Sequence, residues 1–389
     1  MRFFLGIALP VCFLFVLTGC WDQFELTEFG FVQAVAIDIT KQGNFELTTH
    51  FYKPASGDSK SPGGGKENPS AITIKTEART INEAIQNMML QLGRKAKWDH
   101  MRIIIIGESL VKKTDIRNIL DFFRRNHEVR ATTLLMITKG KASDYLDIKP
   151  FIEQTMGQQF REIEKTASSF TAKTVKTNLL DLALQLRSEV GIGVVPYTYI
   201  SKEDNHNNAV VSGLAVLKKG KMVSLISSKE TESLLMLINK YERGMIEIPC
   251  NMNNKKRKKE LEAVEIRDVK TKTTPVIQGN SLTIHVSSKM EGSITELRCS
   301  SLLTESEVNS FNKKFTKTVE DDLQKLITHL QKNKIDVLGI GNQIYNQKPA
   351  AWEKWKNDWD QHFADSRFEI KVDGNILNTG MNIGKPSSQ

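Results

Sequence analysis

The sequence predicts an α+β protein of several domains, with mixed or antiparallel β-sheets flanked by α-helices. Two observations lead to this prediction. Apolar runs of strand length alternate along the chain with amphipathic segments that begin at helix-capping residues. The 389 residues suffice for two or three domains, and the shares of hydrophobic residues, 40%, and charged residues, 25%, are those of a folded globular chain.

The N-terminal region, residues 20–200, is predicted to alternate strands with helices, and a second subdomain is expected to begin near residue 145. Thr80 and Glu83 form a capping box that predicts a helix start. Residues 54–70 are rich in Pro, Gly and Ser and are predicted to be an exposed loop. The predicted strands are 30–39, 44–52, 71–77, 101–107 and 132–138, and the predicted helices lie near 81–92, 115–125, 142–146, 151–165 and 177–189.

The C-terminal half is predicted to be a second α+β domain. Lys219-Gly220 between two apolar runs indicates a hairpin, and Ser227 and Thr304 are predicted to begin helices. Further strands are predicted at 244–249, 261–274, 281–293 and 368–373, and further helices at 336–346 and 350–363. The predicted organisation is a signal peptide at 1–19, the N-terminal region at 20–200, a polar linker at 201–208, the C-terminal domain at 209–380 and a disordered tail at 381–389.

Residues 1–19 have the pattern of a bacterial lipoprotein signal peptide. One positive charge, Arg2, precedes an apolar stretch shorter than the ~20 apolar residues that a spanning helix needs. The stretch ends in LTGC at 17–20, which is a lipobox. The sequence therefore predicts that Cys20 becomes the first residue of the mature chain and carries S-diacylglycerol and N-palmitoyl groups. The alternative is an ordinary signal peptide with a chance cysteine.

The net charge points to an anionic surface as a partner rather than to nucleic acid. It falls from +9 to +8 when Arg2 leaves with the signal peptide. A chain held by two acyl chains stays on the outer face of its membrane, where lipid headgroups are the nearest anions. A basic run at 255–259 either contacts phospholipid headgroups or is a solvated loop between strands, which is the more usual role of such runs. Its residues are Lys255, Lys256, Arg257, Lys258 and Lys259.

The remaining cysteines of the mature chain are Cys250 and Cys299, because Cys12 is removed with the leader and Cys20 is assigned to lipid. Both lie in strand-like segments of the C-terminal half. An exported protein can keep a disulfide, so these two are candidates for a bridge. Two buried free thiols are the alternative, and the sequence leaves both open.

The sequence predicts a protein that is not an enzyme and that has no metal or cofactor. Its seven histidines are dispersed, and no pair has the spacing of a metal site. The Ser310-x-x-Lys313 pattern lacks the companion motifs of a penicillin-binding serine enzyme. Gly339-x-Gly341 lacks the third glycine of a dinucleotide-binding fingerprint.

Two further groups of residues each allow two interpretations. Trp352, Trp355 and Trp359 recur at helical spacing, which is typical of a core stripe but also fits a partner-binding surface. Arg124, Arg125 and Arg130 cluster with Asn126 and Glu128, either as a buried ion network or as a recognition patch.

Several sequence blocks, in a fixed order, resemble the C-subunit lipoprotein family of bacterial spore germinant receptors, the Ger(x)C family. The resemblance runs from Gly19 to about Gly380. Its blocks are FVQAVAID (31–38), HMRIIIIGESL (100–110), FFRRNHEVR (122–130), GLAVLKKGKMVSLISSKET (213–231), DVLGIG (336–341) and an array of Pro349, Trp352, Trp359 and Phe363.

This resemblance implies a multidomain α+β lipoprotein on the outer face of the spore inner membrane. Members of the family act with two integral membrane subunits, A and B, to trigger germination in response to nutrients, and they are not known as enzymes. Only Cys20 can be carried over as a functional residue. The alternative is a substrate-binding lipoprotein of a transporter, which is disfavoured because the predicted halves are sequential and joined once, at 201–208.

Overall fold

The computed structural model describes residues 25–53, 71–203, 206–250, 260–378 and 384. The predicted signal peptide and Cys20 lie outside the described residues. So do the predicted loop at 54–70, the basic run at 255–259 and, apart from Gly384, the predicted tail at 381–389. For Glu203 and His206 only the backbone is described.

Two β-sheets form the framework. The larger has nine strands in the order β3-β2-β1-β5-β6-β7-β8-β9, with β4 also paired to β1, and the smaller has the order β10-β11-β12-β13. The strands are β1 Phe29–Ile39, β2 Phe45–Tyr52, β3 Ala71–Ala78, β4 Lys95–Lys97, β5 Ile103–Gly107, β6 Leu134–Thr138, β7 Ile192–Glu203, β8 His206–Lys218, β9 Lys221–Ile226, β10 Gly244–Pro249, β11 Leu261–Gln278, β12 Ser281–Glu296 and β13 Arg367–Asn378.

Helices cover both faces of the larger sheet and one side of the smaller one. They are α1 Ile81–Leu92, α2 Glu108–Lys113, α3 Ile116–Arg125, α4 Ser143–Leu146, α5 Met156–Phe170, α6 Leu179–Arg187, α7 Ser228–Leu237, α8 Glu305–Lys332, α9 Ile340–Gln347, α10 Pro349–Trp355 and α11 Trp359–Ala364. Short 3-10 turns lie at Leu26–Glu28 and Lys356–Asp358. The predicted α+β class with mixed sheets is confirmed. Within the described residues, no helix is both long and apolar enough to cross a bilayer.

The centre of the larger sheet is parallel and is buried on both faces. Strand β1 runs parallel to β5, and β5 to β6 and β6 to β7 are also parallel. Alternate residues of β1 therefore enter different cores: Val35 and Ile37 enter one, and Ala34 and Ala36 enter the other. This double burial explains why the run at 103–107 is continuously apolar rather than alternating.

The segment predicted to be a linker, 201–208, instead continues two paired strands on either side of residues 204–205. Ser201 pairs with Asn208 and Lys202 with Asn207 in the antiparallel ladder between β7 and β8. Residues 201–203 and 206–208 therefore have strand structure, and whether this segment links two domains stays a prediction. Polar side chains can occupy such a ribbon because main-chain hydrogen bonds, rather than apolar burial, hold its two strands together. The domain bounds at 20–200 and 209–380 stay a prediction.

A single core cluster joins the end of the larger sheet to the smaller sheet. One face of the long helix α8, which includes Phe315 and Leu323, is buried in it. The same cluster contains Val194 of β7 and Leu214 of β8. The capping box at Thr304 and Glu307 is also present, because the Thr304 side chain accepts from the Glu307 N–H and Glu307 accepts in return.

Candidate functional site

Cys250 and Cys299 form a disulfide in the structure, one of the two alternatives that the sequence left open. Their Cα atoms are 5.8 Å apart, and 49 positions separate them in the chain. The backbone N–H of Cys250 donates to the carbonyl of Glu260 across 2.9 Å. The disulfide and this hydrogen bond therefore hold Cys250 and Glu260, the described residues on either side of 251–259, in place.

Next to the disulfide lies Glu262, a fully buried carboxylate whose two oxygens both accept hydrogen bonds. It accepts hydrogen bonds from the backbone N–H groups of Arg298 at 3.3 Å, Cys299 at 3.0 Å and Ser300 at 2.7 Å, and from Lys314 Nζ at 3.1 Å. Burial acts to raise the pKa of Glu262, but the hydrogen bonds to Cys299, Ser300 and Lys314 outweigh it and the pKa is lowered. This carboxylate is therefore ionised in the folded protein at neutral pH.

The ligand atoms of Cys250, Cys299 and Glu262 lie within 4.8 Å of one another, as they would around a metal ion. However, a metal site needs thiolates, and these sulfurs are bonded to each other. The oxygens of Glu262 are also already occupied by donors. The arrangement fits a cross-link with a buried ion pair rather than a metal centre.

The DVLGIG segment folds around a second buried carboxylate, Asp336. It accepts from the backbone N–H groups of Ile340 at 3.0 Å and Gly341 at 2.7 Å, so it holds the start of α9. The indole N–H of Trp359 donates to the same carboxylate across 3.2 Å. Burial raises the pKa of Asp336 to about 6 against the opposing effect of these donors.

The tryptophan stripe belongs to the core, which is one of the two interpretations that its spacing allows. Trp352, Trp355 and Trp359 are each less than a tenth exposed. Trp352 also donates its indole N–H to Glu189 across 3.0 Å, and so ties the C-terminal helices to the residues just before β7. These side chains join two parts of the molecule and are not available to a partner.

The three predicted arginines do not form one network. Arg124 and Arg130 are exposed, and Arg125 pairs with Asp121 across 2.5 Å within α3. Glu128 instead bonds Lys97 across 2.9 Å. The interpretation as a buried ion network is therefore wrong, because the charges either face solvent or pair with neighbours outside the cluster.

The fold also brings together a serine, a histidine and a carboxylate that the sequence gave no reason to connect. Ser224 Oγ of β9 lies 3.3 Å from His329 Nε2 of α8, and His329 Nδ1 lies 2.6 Å from Glu230 Oε1 of α7. Glu230 is also the capping residue that bonds Ser227. The line links three elements, and it has the order of groups found in serine hydrolases.

Comparison with known proteins identifies the family. A family model described as "Spore germination protein N-terminal domain" matches residues 22–200, and one described as "Spore germination B3/ GerAC like, C-terminal" matches residues 212–380. The chain belongs to the Ger(x)C family of spore germination proteins. The resemblance inferred from the dispersed blocks is thus confirmed.

Relatives of this Ger(x)C chain match it along nearly its whole length. Spore germination protein B3 of Bacillus subtilis (strain 168) is 26% identical, with 96% of each chain covered. Spore germination protein KC of the same organism is 25% identical over 94% of this chain and 93% of its own. The crystal structure of the GerBC protein shares the fold, with a TM-score of 0.55 at 22% identity over 88% of this chain and 97% of that one.

Proposed function

We propose that this Ger(x)C protein is the lipid-anchored C subunit of a spore germinant receptor, and that it takes part in nutrient-triggered germination by docking with membrane-embedded A and B subunits. The observation that carries the proposal is the paired match of the two family models, which together cover residues 22–380 apart from 201–211. The names of the relatives, all spore germination proteins, support the same role.

The proposed anchor is Cys20, acylated on the outer face of the spore inner membrane. The lipobox at 17–20 supports this assignment. Cys20 precedes the first described residue, Glu25, by five positions. A tether of this length holds the body beside the bilayer and raises its effective concentration toward membrane subunits.

A Cys20→Ala variant tests the proposal, with Cys12→Ala as the matched control. Both remove one thiol from the N-terminal segment, but only the first removes the lipid acceptor. We expect Cys20→Ala to block incorporation of labelled palmitate and to impair nutrient germination, while Cys12→Ala leaves both unchanged. Normal germination of spores whose protein carries no lipid would contradict the proposal.

The proposed role is non-catalytic, but one observation favours a second candidate, hydrolysis at Ser224. The Ser224, His329 and Glu230 side chains form the hydrogen-bonded line described above. Under the main proposal this line only ties β9, α7 and α8 together, so an activated fluorophosphonate should not label the protein. Labelling that disappears in both Ser224→Ala and His329→Ala would establish the second candidate.

The alternative of a transporter's substrate-binding lipoprotein finds less support. Such proteins close two lobes about a hinge, whereas here one hydrophobic cluster contains residues of both halves, including Val194 and Phe315. Calorimetry of the purified protein against amino acids, sugars and nucleosides separates the two roles. Tight binding of such a solute by the isolated subunit would favour the alternative.

A further inference from the structure

Three arginines from separate elements converge beside the start of β5. Arg102 directly precedes β5: its backbone N–H donates to the carbonyl of Gln33 across 2.8 Å, and its own carbonyl accepts from Leu134 across 3.0 Å. Arg130 belongs to the turn before β6, where its carbonyl accepts from Thr133 across 3.0 Å. Both side chains therefore arise at the edge of the sheet where the parallel strands begin.

The third arginine, Arg161, comes from helix α5, which packs over the same point. Gly157 lies one turn earlier in α5, and a Cβ at that position would be 2.7 Å from the carbonyl oxygen of Gln33. This close approach sets Arg161 near Arg102. The positive charges of Arg161 and Arg130 act on Arg102: its pKa is lowered, first by partial burial and then by these two neighbours, with Glu162 opposing them.

Six other arginines of the described residues form ion pairs with an aspartate or glutamate, and these three do not. Arg117, Arg125 and Arg298, for example, each pair with an aspartate or glutamate two to four positions away in the chain. Among the described residues, no carboxylate forms an ion pair with any of the three converging side chains. Moreover, Nε of Arg102 is shielded from solvent and meets no hydrogen-bond acceptor there. A buried N–H without an acceptor is costly, so the cluster favours an oxyanion with several oxygens.

The position of the cluster identifies the anion. Strand β1 runs parallel to β5 and starts at Phe29, and Arg102 lies level with Gln33, four residues further along β1. The chain therefore enters β1 from Glu25 on the side of the sheet where Arg102 lies. The five positions from Cys20 to Glu25 span at most about 18 Å. If Cys20 is acylated, the start of β1 cannot lie far from the lipid headgroups, and the arginines lie on the same side of the sheet as this start. Leu26, which is 77% exposed, lies at the same edge and offers an apolar contact.

We infer that Arg102, Arg130 and Arg161 form a phosphate-binding site for the headgroup of an anionic phospholipid, and that this edge of the larger sheet faces the membrane. The orientation rests on the proposed anchor at Cys20, whereas the site itself depends only on the arginines. One guanidinium group can donate two parallel hydrogen bonds to two oxygens of a phosphate. Three arginines can therefore surround the phosphate of one headgroup. The site therefore acts beside the acyl chains and fixes how the body sits on the bilayer.

The test uses residues 21–389, which keep every described contact and carry no acyl chain. Binding is measured by sedimentation with vesicles of phosphatidylglycerol and phosphatidylcholine, and with pure phosphatidylcholine vesicles. The variant carries Arg102→Gln, Arg130→Gln and Arg161→Gln. The control carries Arg267→Gln, Arg298→Gln and Arg367→Gln, which remove the same charge from residues that already have carboxylate partners.

We expect the wild-type protein to bind only the anionic vesicles. The site variant should lose about a hundredfold in affinity, and the control about threefold or less. Equal losses in both variants would show general attraction of a basic protein and would overturn the site. Should the triple variant fail to fold, the exposed pair Arg130→Gln and Arg161→Gln must still weaken binding more than a matched pair from the control.

Inorganic phosphate separates a lipid site from a site for a small anion. We expect ~50 mM phosphate to weaken vesicle binding of the wild-type protein more than sodium chloride of equal ionic strength does. Phosphate that stabilises the protein against heat through these arginines, without any binding to anionic vesicles, would overturn the assignment to lipid. Because no acyl chain is present, either result is independent of whether Cys20 is lipidated in spores.

Discussion

The indole of Trp359 donates to the buried carboxylate of Asp336 across 3.2 Å, and so joins α11 to the start of α9. The same carboxylate receives two backbone N–H groups of α9. Asp336 is thus the common acceptor that holds the C-terminal helices in place. Because Trp352 of the same helical region reaches back to Glu189, this acceptor also affects the junction with the N-terminal half.

Asp336→Ala is expected to destabilise the protein by about 3 kcal/mol or more, because it leaves buried donors without an acceptor. Urea unfolding followed by tryptophan fluorescence measures the change. Asp373→Ala, at an exposed position, serves as the control and should change the free energy of unfolding little. Equal stability of the two variants would show that Asp336 is not the acceptor described here.

The ionisation of Asp336 gives a pH dependence with a defined sign. Burial raises its pKa from 3.8 to about 6, so the folded protein holds this proton more tightly than the unfolded chain does. Its contribution to stability is fully present below pH 3.8 and is lost as pH rises through about 6. As pH falls from 7 to 5, the free energy of unfolding of the wild-type protein should rise by about 1 kcal/mol relative to that of Asp336→Asn. A difference that does not change with pH would contradict the raised pKa.

Gly341→Ala should be poorly tolerated because three side chains close around this glycine. A Cβ there would lie 2.7 Å from Val190, 2.9 Å from Trp352 and 2.9 Å from Trp359. Such overpacking costs about 1–3 kcal/mol. Gly279→Asn is the comparison, because no atom lies within 4 Å of that position and asparagine accepts its left-handed backbone. In thermal unfolding, Gly341→Ala should have a clearly lower melting temperature than Gly279→Asn.

Replacing both Cys250 and Cys299 by serine should lower the free energy of unfolding by about 4 kcal/mol, as expected for the release of a closed loop of this length. Chemical denaturation with and without dithiothreitol measures the effect. The reductant should weaken the wild-type protein and leave the double variant unchanged. If the reductant has no effect on the wild-type protein, the two cysteines are not bridged in the folded chain.

Glu262→Gln should destabilise the protein at neutral pH by about 3 kcal/mol, because it leaves the partly buried Lys314 without its charged partner. The pKa of Glu262 is lowered, so its contribution to stability is present above 4.5, its ordinary value, and is lost as pH falls through the folded value. The variant should therefore lose less stability in acid than the wild-type protein. Glu291→Gln, at an exposed position of β12, should behave like the wild-type protein.

Local patterns predicted most elements, and the misses have physical causes. Strand β7 was not predicted because Gly191, Gly193 and Pro196 indicate a loop, yet Pro196 fits a strand beside a bulge between Pro196 and Thr198. Helix α5 begins at Met156 rather than near 151, since Thr155 caps it and the apolar Phe151 stays 68% exposed. An exposed apolar residue can therefore make a helix that is predicted from periodicity begin too early.

Apart from the candidate bridge between Cys250 and Cys299, long-range contacts could not be predicted. Ser224 and His329 are 105 positions apart, and His329 and Glu230 are 99 apart, so only the packing of α7 and α8 against β9 connects them. The convergence of Arg102, Arg130 and Arg161 likewise depends on sheet order. In contrast, the lipobox at 17–20 is a local pattern, so the sequence alone predicts the lipid anchor.

We propose that a lipid on Cys20 holds this spore germination protein at the membrane. The most direct measurement is mass spectrometry of the N-terminal peptide of the protein purified from spore membranes. We expect a chain that starts at Cys20 and bears the mass of a diacylglycerol and a further acyl group. A retained leader, or an unmodified Cys20, would contradict it.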